Sequence, residues 1–222
     1  MNKTIALKLA LLVPMIAPVV SACGPQPVTP PSGEIEATEF MGVELTPISE
    51  QRNNALKGTQ YLDKETYILT VDGLVENKLT LSYDDLLSYP LESRLVPLNC
   101  VEGWAFQAKW TGPRLASILE DAVVGPEAKI VIFHCADELG YTSLELGYIL
   151  EKDIIIGLKL NDITLPADRG FPFQVVAEGK YGYKWAKWIT RIELSGEDYR
   201  GYWEKAGYSN QADVGGPAFE SQ

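Results

Sequence analysis

Leu98-Asn99-Cys100-Val101-Glu102-Gly103-Trp104 is the stretch from which this chain is read. A cysteine followed by an acidic residue, a glycine and a tryptophan places a thiolate where it can hold a metal or attack a substrate. The chain has two other cysteines, Cys23 and Cys135, and one histidine, His134. Zinc and iron–sulfur centres need a full set of Cys or His ligands at spacings such as C-x2-C, and none occurs here. A metal at Cys100 must therefore draw most of its ligands from a cofactor.

Working outward, 222 residues with 46% hydrophobic content suffice for one substantial core. A formal charge of -11 argues against nucleic acid as a partner, because a phosphate backbone needs a basic face. The amino terminus is a separate segment. Lys3 and Lys8 precede an apolar run from Leu9 to Val20, and Val20-Ser21-Ala22-Cys23 ends in small residues before a cysteine. This resembles a bacterial lipoprotein signal, which implies cleavage before Cys23 and a diacylglycerol on its sulfur. A membrane span is the other reading, but the run is shorter than the roughly 20 residues a span needs, and Pro14 and Pro18 interrupt it. Pro25, Pro27, Pro30 and Pro31 then mark an extended tether. The expected organisation is a signal peptide over 1–22, a lipidated cysteine and tether over 23–38, and a folded domain over 39–222. The expected location is the extracytoplasmic face of the cell membrane.

No repeat is visible, and the elements are short and mixed. Tyr67-Ile68-Leu69-Thr70-Val71 predicts a strand ending at the turn signal Asp72-Gly73. Ser82-Tyr83-Asp84-Asp85 reads as a capping box opening a short helix that ends before Pro90. A second helix is expected after Thr111-Gly112, with Pro113 near its first turn and Leu115, Ile118 and Leu119 on one face. Lys129-Ile130-Val131-Ile132-Phe133 predicts a buried strand that delivers His134 and Cys135 to its end. Ile154 to Leu160 reads as one strand turning at Asn161-Asp162 into Ile163-Thr164-Leu165. Phe171 to Ala177 and Trp188 to Leu194 read as two more. Several strands, a few short helices and no regular βαβ alternation predict an α+β fold in a single mixed domain.

Between those last two strands lies Gly179-Lys180-Tyr181-Gly182-Tyr183-Lys184-Trp185-Ala186-Lys187-Trp188, with three lysines in an otherwise acidic chain. Glycines and ammonium groups together can cradle a phosphate. The same loop also reads as a plain hairpin with aromatics inward and lysines in water.

Three segments in this order and spacing carry a family resemblance: Asn99 to Trp104, Arg169-Gly170-Phe171-Pro172-Phe173-Gln174, and Lys180 to Trp188. Together they resemble the molybdopterin-binding domain of the sulfite oxidase family, in particular single-domain enzymes related to the periplasmic methionine sulfoxide reductase catalytic subunit. The resemblance covers about Glu39 to Tyr208 and implies that fold for the domain. It implies molybdenum and molybdopterin as cofactors, with Cys100 as metal ligand and catalytic residue. The soft thiolate suits such a centre, and the pterin dithiolene supplies the missing ligands. Arg52-Asn53-Asn54 and Lys57-Gly58-Thr59-Gln60 resemble the segment that wraps the pterin, with Asn54 as the polar contact. Lys184, Trp185, Ala186 and Lys187 match the stretch that contacts the cofactor phosphate. Arg169 stands where many relatives have histidine or asparagine, and Gln174 where they have arginine, so both are cofactor-side positions bearing on substrate preference.

Cys135 stands where that branch has threonine. It has three readings: a buried small hydrophobe, a disulfide partner of Cys100, or a thiol near the metal. His134 reads as a hydrogen-bonded strand-end residue. Asp137 to Ser143 resembles the loop beside the metal, which sets Tyr141 towards the substrate. Glu102 either tunes the centre or caps its loop, and Trp104 and Trp110 read as core aromatics.

The resemblance implies an oxidoreductase that moves an oxygen atom to or from a small substrate, in the reductase direction, with the chemistry carried by the cofactor. The chain contains no haem-attachment C-x-x-C-H or flavin motif, so a separate redox partner is expected, a membrane haem or quinone-linked protein. A monomer is expected, since little sequence follows Tyr202-Trp203. Two other classes share these residues: a cysteine hydrolase using Cys100 with His134 as base, and a cofactor-free lipoprotein binding module.

Overall fold

The computed structural model describes residues 33–139 and 141–220. The expected signal peptide over 1–22, Cys23 and most of the tether lie outside the described residues. The central layer is a five-stranded sheet in the order Leu79–Ser82, Ile68–Gly73, Ile189–Ser195, Ile130–Cys135, Thr142–Glu145. Its neighbours pair antiparallel except Ile189–Ser195 with Ile68–Gly73, which run parallel. Ile130 to Phe133 is buried on both faces, which accounts for its unbroken apolar run. The strand Ile68–Gly73 continues through the expected turn, because Asp72 and Gly73 pair with Glu193 and Leu194.

The second sheet decides where Cys100 sits. Leu91–Asn99 and Ala105–Pro113 form a long antiparallel hairpin in continuous register from Leu91↔Pro113 to Asn99↔Ala105. Lys159–Leu160 and Ile163–Thr164 complete the order on the far side of Ala105–Pro113. The sequence reading did not identify this hairpin. Phe106, Ala108 and Trp110 alternate inward as a half-buried strand requires, but Pro97 and the charged residues of Leu91–Asn99 masked its mate. The helix Leu115–Ala122 starts after Arg114, so Pro113, the last residue of its strand, stands just before the helix as expected. At Gly112 the backbone passes so close to the Ile156 carbonyl oxygen that a β-carbon would collide with it.

Ile154 to Leu160 is two strands rather than one. Ile155–Gly157 pairs with Gln174–Val176, whereas Lys159–Leu160 joins the hairpin sheet, with Leu158 crossing between them. The expected turn at Asn161-Asp162 is present, both residues at positive φ. Phe171 to Ala177 shortens to Gln174–Val176. Ser82 caps the helix Tyr83–Leu87 as a full capping box with Asp85. The hydrophobic cluster is continuous through both sheets, from Leu69 and Phe133 to Trp110 and Trp185.

Candidate active site

Cys100 sits in the turn of the long hairpin. Its backbone N–H bonds the Trp104 carbonyl at 2.9 Å, and Gly103 returns to the Cys100 carbonyl at 3.0 Å, with Gly103 at the positive φ that the turn requires. The thiol is half-buried. Burial is the largest influence and pushes the thiol above the ordinary cysteine range. The Glu102 carboxylate acts the same way, while backbone N–H groups of Glu102 and Val101 pull against it. Alone, this sulfur keeps its proton; a coordinated metal cation would remove it.

Beside Cys100 opens a cavity of about 420 Å³. Its polar part is made by Arg52, Asn53, Asn54, Arg169, Gln174 and Lys187, and its aromatic part includes Trp104, Phe106, Tyr141, Tyr183, Trp203 and Tyr208. Seven of the residues expected from sequence thus meet there: Asn54, Cys100, Tyr141, Arg169, Gln174, Trp185 and Lys187. Trp104 and Trp110, read as core aromatics, both reach the lining, although Trp110 is also fully buried against Trp185.

Lys187 is the buried cation of the cavity. Its ammonium donates to Asn53 Oδ1 and to the Asn54 carbonyl, both at 2.6 Å, and lies 4.8 Å from the Trp188 ring centroid. Both hydrogen-bond partners are neutral. Burial, reinforced by the Arg169 charge, lowers its pKa to about 8. Arg169 works differently from its expected role. Its guanidinium donates to the carbonyls of Ile48, Gln51 and Arg52 at 3.0, 2.7 and 3.1 Å, so it fixes the segment that carries Asn53 and Asn54. Its Nε is buried without a hydrogen bond, 3.3 Å from Asp168 Oδ2. Asn53 in turn donates to the Asp168 carbonyl. Asn54 donates to Glu102 Oε2 at 3.4 Å, and the same oxygen accepts from Trp104 Nε1 at 2.8 Å. Glu102 therefore ties the cysteine turn to the Asn54 segment.

The remaining residues expected at the cofactor lie elsewhere. Lys184 points away from the cavity into a buried ion pair with Glu204 at 2.6 Å, because its long side chain has carbonyl and carboxylate partners on the opposite side of the turn Gly182–Lys184. Lys180 pairs with Asp213 at 2.7 Å over the Tyr148 ring. All three loop lysines are buried, so the plain hairpin with solvated lysines does not describe this loop. Ala186 is fully buried and contributes backbone pairing to Val175. Cys135 is buried outside the cavity lining and free of any disulfide, as is Cys100, which rules out their pairing in this structure. Burial pushes its thiol well up, and the Lys187 backbone N–H bonds its sulfur. Lys57 holds the Asp137 carbonyl at 2.7 Å, bracing the Tyr141 loop rather than lining the cavity.

Arg52 and Asn53 line the cavity from the segment expected to wrap the pterin, Asp137 from the loop expected beside the metal and Tyr183 from the lysine-rich loop, whereas Trp203 and Tyr208 were not expected there. Asn53 carried a signal, since it adjoins Asn54. Trp203 and Tyr208 carried none, because only the folded chain brings the carboxy-terminal segment over the cysteine turn.

This donor set suits the expected cofactor. The buried Lys187 ammonium, Asn53, Asn54 and Arg52 line one part of the space and offer the donors that a phosphate or a polar pterin would require, with the carboxylates of Glu102 and Asp137 also in the lining. Cys100 offers a single soft ligand, and among the described residues there is no group of three or more His, Cys, Asp or Glu placed to hold a metal.

Comparison with known proteins agrees. The chain is 34% identical over 154 residues to the oxidoreductase YuiH of Bacillus subtilis, covering 69% of this chain and 77% of that one. It is 27% identical over 189 residues to the protein-methionine-sulfoxide reductase catalytic subunit MsrP of Campylobacter jejuni, covering 78% of this chain and 63% of MsrP. The fold superposes on the sulfane dehydrogenase SoxCD of Paracoccus pantotrophus with a TM-score of 0.61 at 24% identity, over 63% of this chain and 41% of that one. The model of the oxidoreductase molybdopterin binding domain matches residues 56–203. The chain belongs to that family, the sulfite oxidase family, and is a molybdopterin-dependent oxidoreductase carrying molybdenum.

Proposed function

We propose that the protein transfers an oxygen atom between a small organic substrate and its molybdenum centre, working as a reductase of sulfoxides or N-oxides outside the cytoplasmic membrane. The observation that carries this reading is one cavity lined together by the Cys100 thiol, by polar donors that include the buried Lys187, and by several aromatic rings. The likeness to MsrP, a protein-methionine-sulfoxide reductase subunit, supports the substrate class.

When bound, the cofactor supplies the two-electron chemistry by which the substrate oxygen leaves as water with two protons. Cys100 would hold the metal. Lys187, Asn53 and Asn54 would hold the polar end of the pterin, with Arg169 fixing their segment. The aromatic rings exclude water from the substrate and offer faces to a thioether or its sulfoxide. Tyr141 lies in the loop expected at the substrate and lines the cavity, and burial pushes its pKa up, so it stays a neutral hydrogen-bond donor. Electrons arrive from a separate membrane partner, a haem or quinone-linked protein. A diacylglycerol on Cys23 would keep the enzyme beside it.

The cysteine hydrolase reading loses its base: His134 lies in the five-stranded sheet, bonded to Glu193 at 2.8 Å, and is not among the cavity residues. The test is expression with molybdate, elemental and pterin analysis, then turnover of sulfoxides and N-oxides with a reduced viologen donor. About one molybdenum per chain with sulfoxide turnover is expected. A folded protein without molybdenum overturns the proposal, and absence of lipid mass on Cys23 in a bacterial host overturns the anchor.

A further inference from the structure

Behind the aromatic side of the cavity lies a group of buried polar residues that the proposed chemistry does not use. Glu204 and Lys184 are 1% exposed each and form an ion pair at 2.6 Å. Glu204 Oε1 also accepts from Thr142 Oγ1 at 2.5 Å, and Lys184 donates to the Ser143 carbonyl at 3.1 Å and to Asn210 Oδ1 at 3.0 Å. Glu204 Oε2 is buried with no hydrogen bond.

Every partner in this group lies within two residues of the cavity wall. Thr142 follows Tyr141, Lys184 stands between Tyr183 and Trp185, Glu204 follows Trp203, and Asn210 lies shortly after Tyr208. The backbone is tied at the same place. Tyr202 N–H bonds the Tyr141 carbonyl at 3.3 Å, and Tyr208 N–H bonds the Trp203 carbonyl at 3.1 Å. Gly201 passes so close to the Tyr141 carbonyl that a β-carbon would collide with it. Two aromatic contacts, Tyr183–Tyr208 and Trp203–Tyr208, with centroids 5.2 and 5.1 Å apart, then join the wall residues to one another, and Phe219 packs on Tyr208 from outside the lining at 4.7 Å.

We infer that Glu204 and Lys184 are positioning residues that set the aromatic half of the cavity, and so its grip on the substrate, without touching substrate or cofactor. The inference rests on the reading of this cavity as the oxygen-transfer site. A buried ion pair is a weak source of stability, since the cost of desolvating both charges offsets their attraction, but it is demanding about geometry. Here that geometry is shared by segments far apart in the chain, each of which carries an aromatic residue of the cavity lining.

The test compares Glu204→Gln, which leaves the Lys184 cation uncompensated, with the neutral double variant Lys184→Met/Glu204→Leu, in which both charges are gone. Methyl phenyl sulfoxide is the probe, with reduced viologen as donor. In the double variant, stability is expected to return towards wild type, while KM stays raised about tenfold with kcat and molybdenum content unchanged. Hydrogen exchange supplies a readout independent of turnover. The Tyr202 and Tyr208 amides should exchange faster in the double variant, and those of the helix Leu115–Ala122 should not change. If Glu204→Gln does not fold, the double variant decides alone. A folded double variant with wild-type KM, or with KM and stability restored together, overturns the inference and reduces the pair to a packing feature. Wild-type protein without molybdenum or sulfoxide turnover overturns the oxygen-transfer reading instead.

Discussion

The Lys187 ammonium donates to the Asn54 carbonyl at 2.6 Å, joining two segments 133 residues apart across the cavity beside Cys100. Neither segment holds this position alone. Lys187 comes from the loop after Gln174–Val176, and Asn54 from an exposed stretch fixed by Arg169 and Glu102.

The pH dependence of the cofactor-free protein follows from this contact. Lys187 has a folded pKa of about 8 against 10.5 for a free lysine. The folded state therefore binds its proton less tightly than the unfolded state. Between those values the unfolded chain carries more protons, so this group's contribution to stability rises with pH from about 8 to about 10.5. Denaturation midpoints should rise more across that window in the wild type than in Lys187→Met, the difference being this group's share. An anionic cofactor should pull the pKa back up and flatten the same profile.

Cys100→Ser should lose the metal and keep the fold. The side chain is half-buried and the turn is held by backbone bonds to Trp104, which serine preserves. Molybdenum per chain should fall by about tenfold or more, with the melting temperature within a few degrees of wild type. Elemental analysis beside thermal denaturation reads both.

Arg169→Met should loosen the Ile48 to Asn54 segment. It removes the donors to three backbone carbonyls, and buried acceptors left unpaired cost about 1–3 kcal/mol each where water cannot replace the donor. The expected loss is about 2–4 kcal/mol in chemical denaturation, with faster proteolysis within residues 48–58. Arg169→Lys should recover little, because one ammonium cannot span carbonyls that the guanidinium reaches with two nitrogens.

Gly112→Ala should be the costlier of two small changes in the hairpin sheet. Its β-carbon would meet the Ile156 carbonyl, backbone against backbone, whereas Gly103 has open space around its β position. Overpacking of this kind costs about 1–3 kcal/mol. Gly103→Ala instead places a side chain at φ +86 in the cysteine turn, and should reduce molybdenum retention more than stability.

Much of the sheet framework was legible. Ile130 to Phe133 had to be buried on both faces, and Ser82 with Asp85 had to cap a helix, because local pattern and turn chemistry suffice for both. The long hairpin around Cys100 was not legible. Pro97 argues against a strand by its own chemistry, and only pairing with Gln107 along an otherwise continuous ladder makes the position tolerable. The split at Leu158 was hidden for a similar reason: Ile154 to Leu160 is apolar apart from Gly157 and Lys159, and that pattern cannot say which of two sheets each half will join.

The sequence by itself determined the family, through three motifs in register, and it named the thiol and most of the polar residues around the cavity. Only the tertiary structure decided which lysine faces that cavity. Lys180, Lys184 and Lys187 are alike in composition and close in sequence. Their directions are set by Asp213, Glu204 and the Asn53-Asn54 segment, which the fold delivers from far along the chain. A long flexible side chain takes the direction in which its charge is best paired, and no local pattern records where that partner will be.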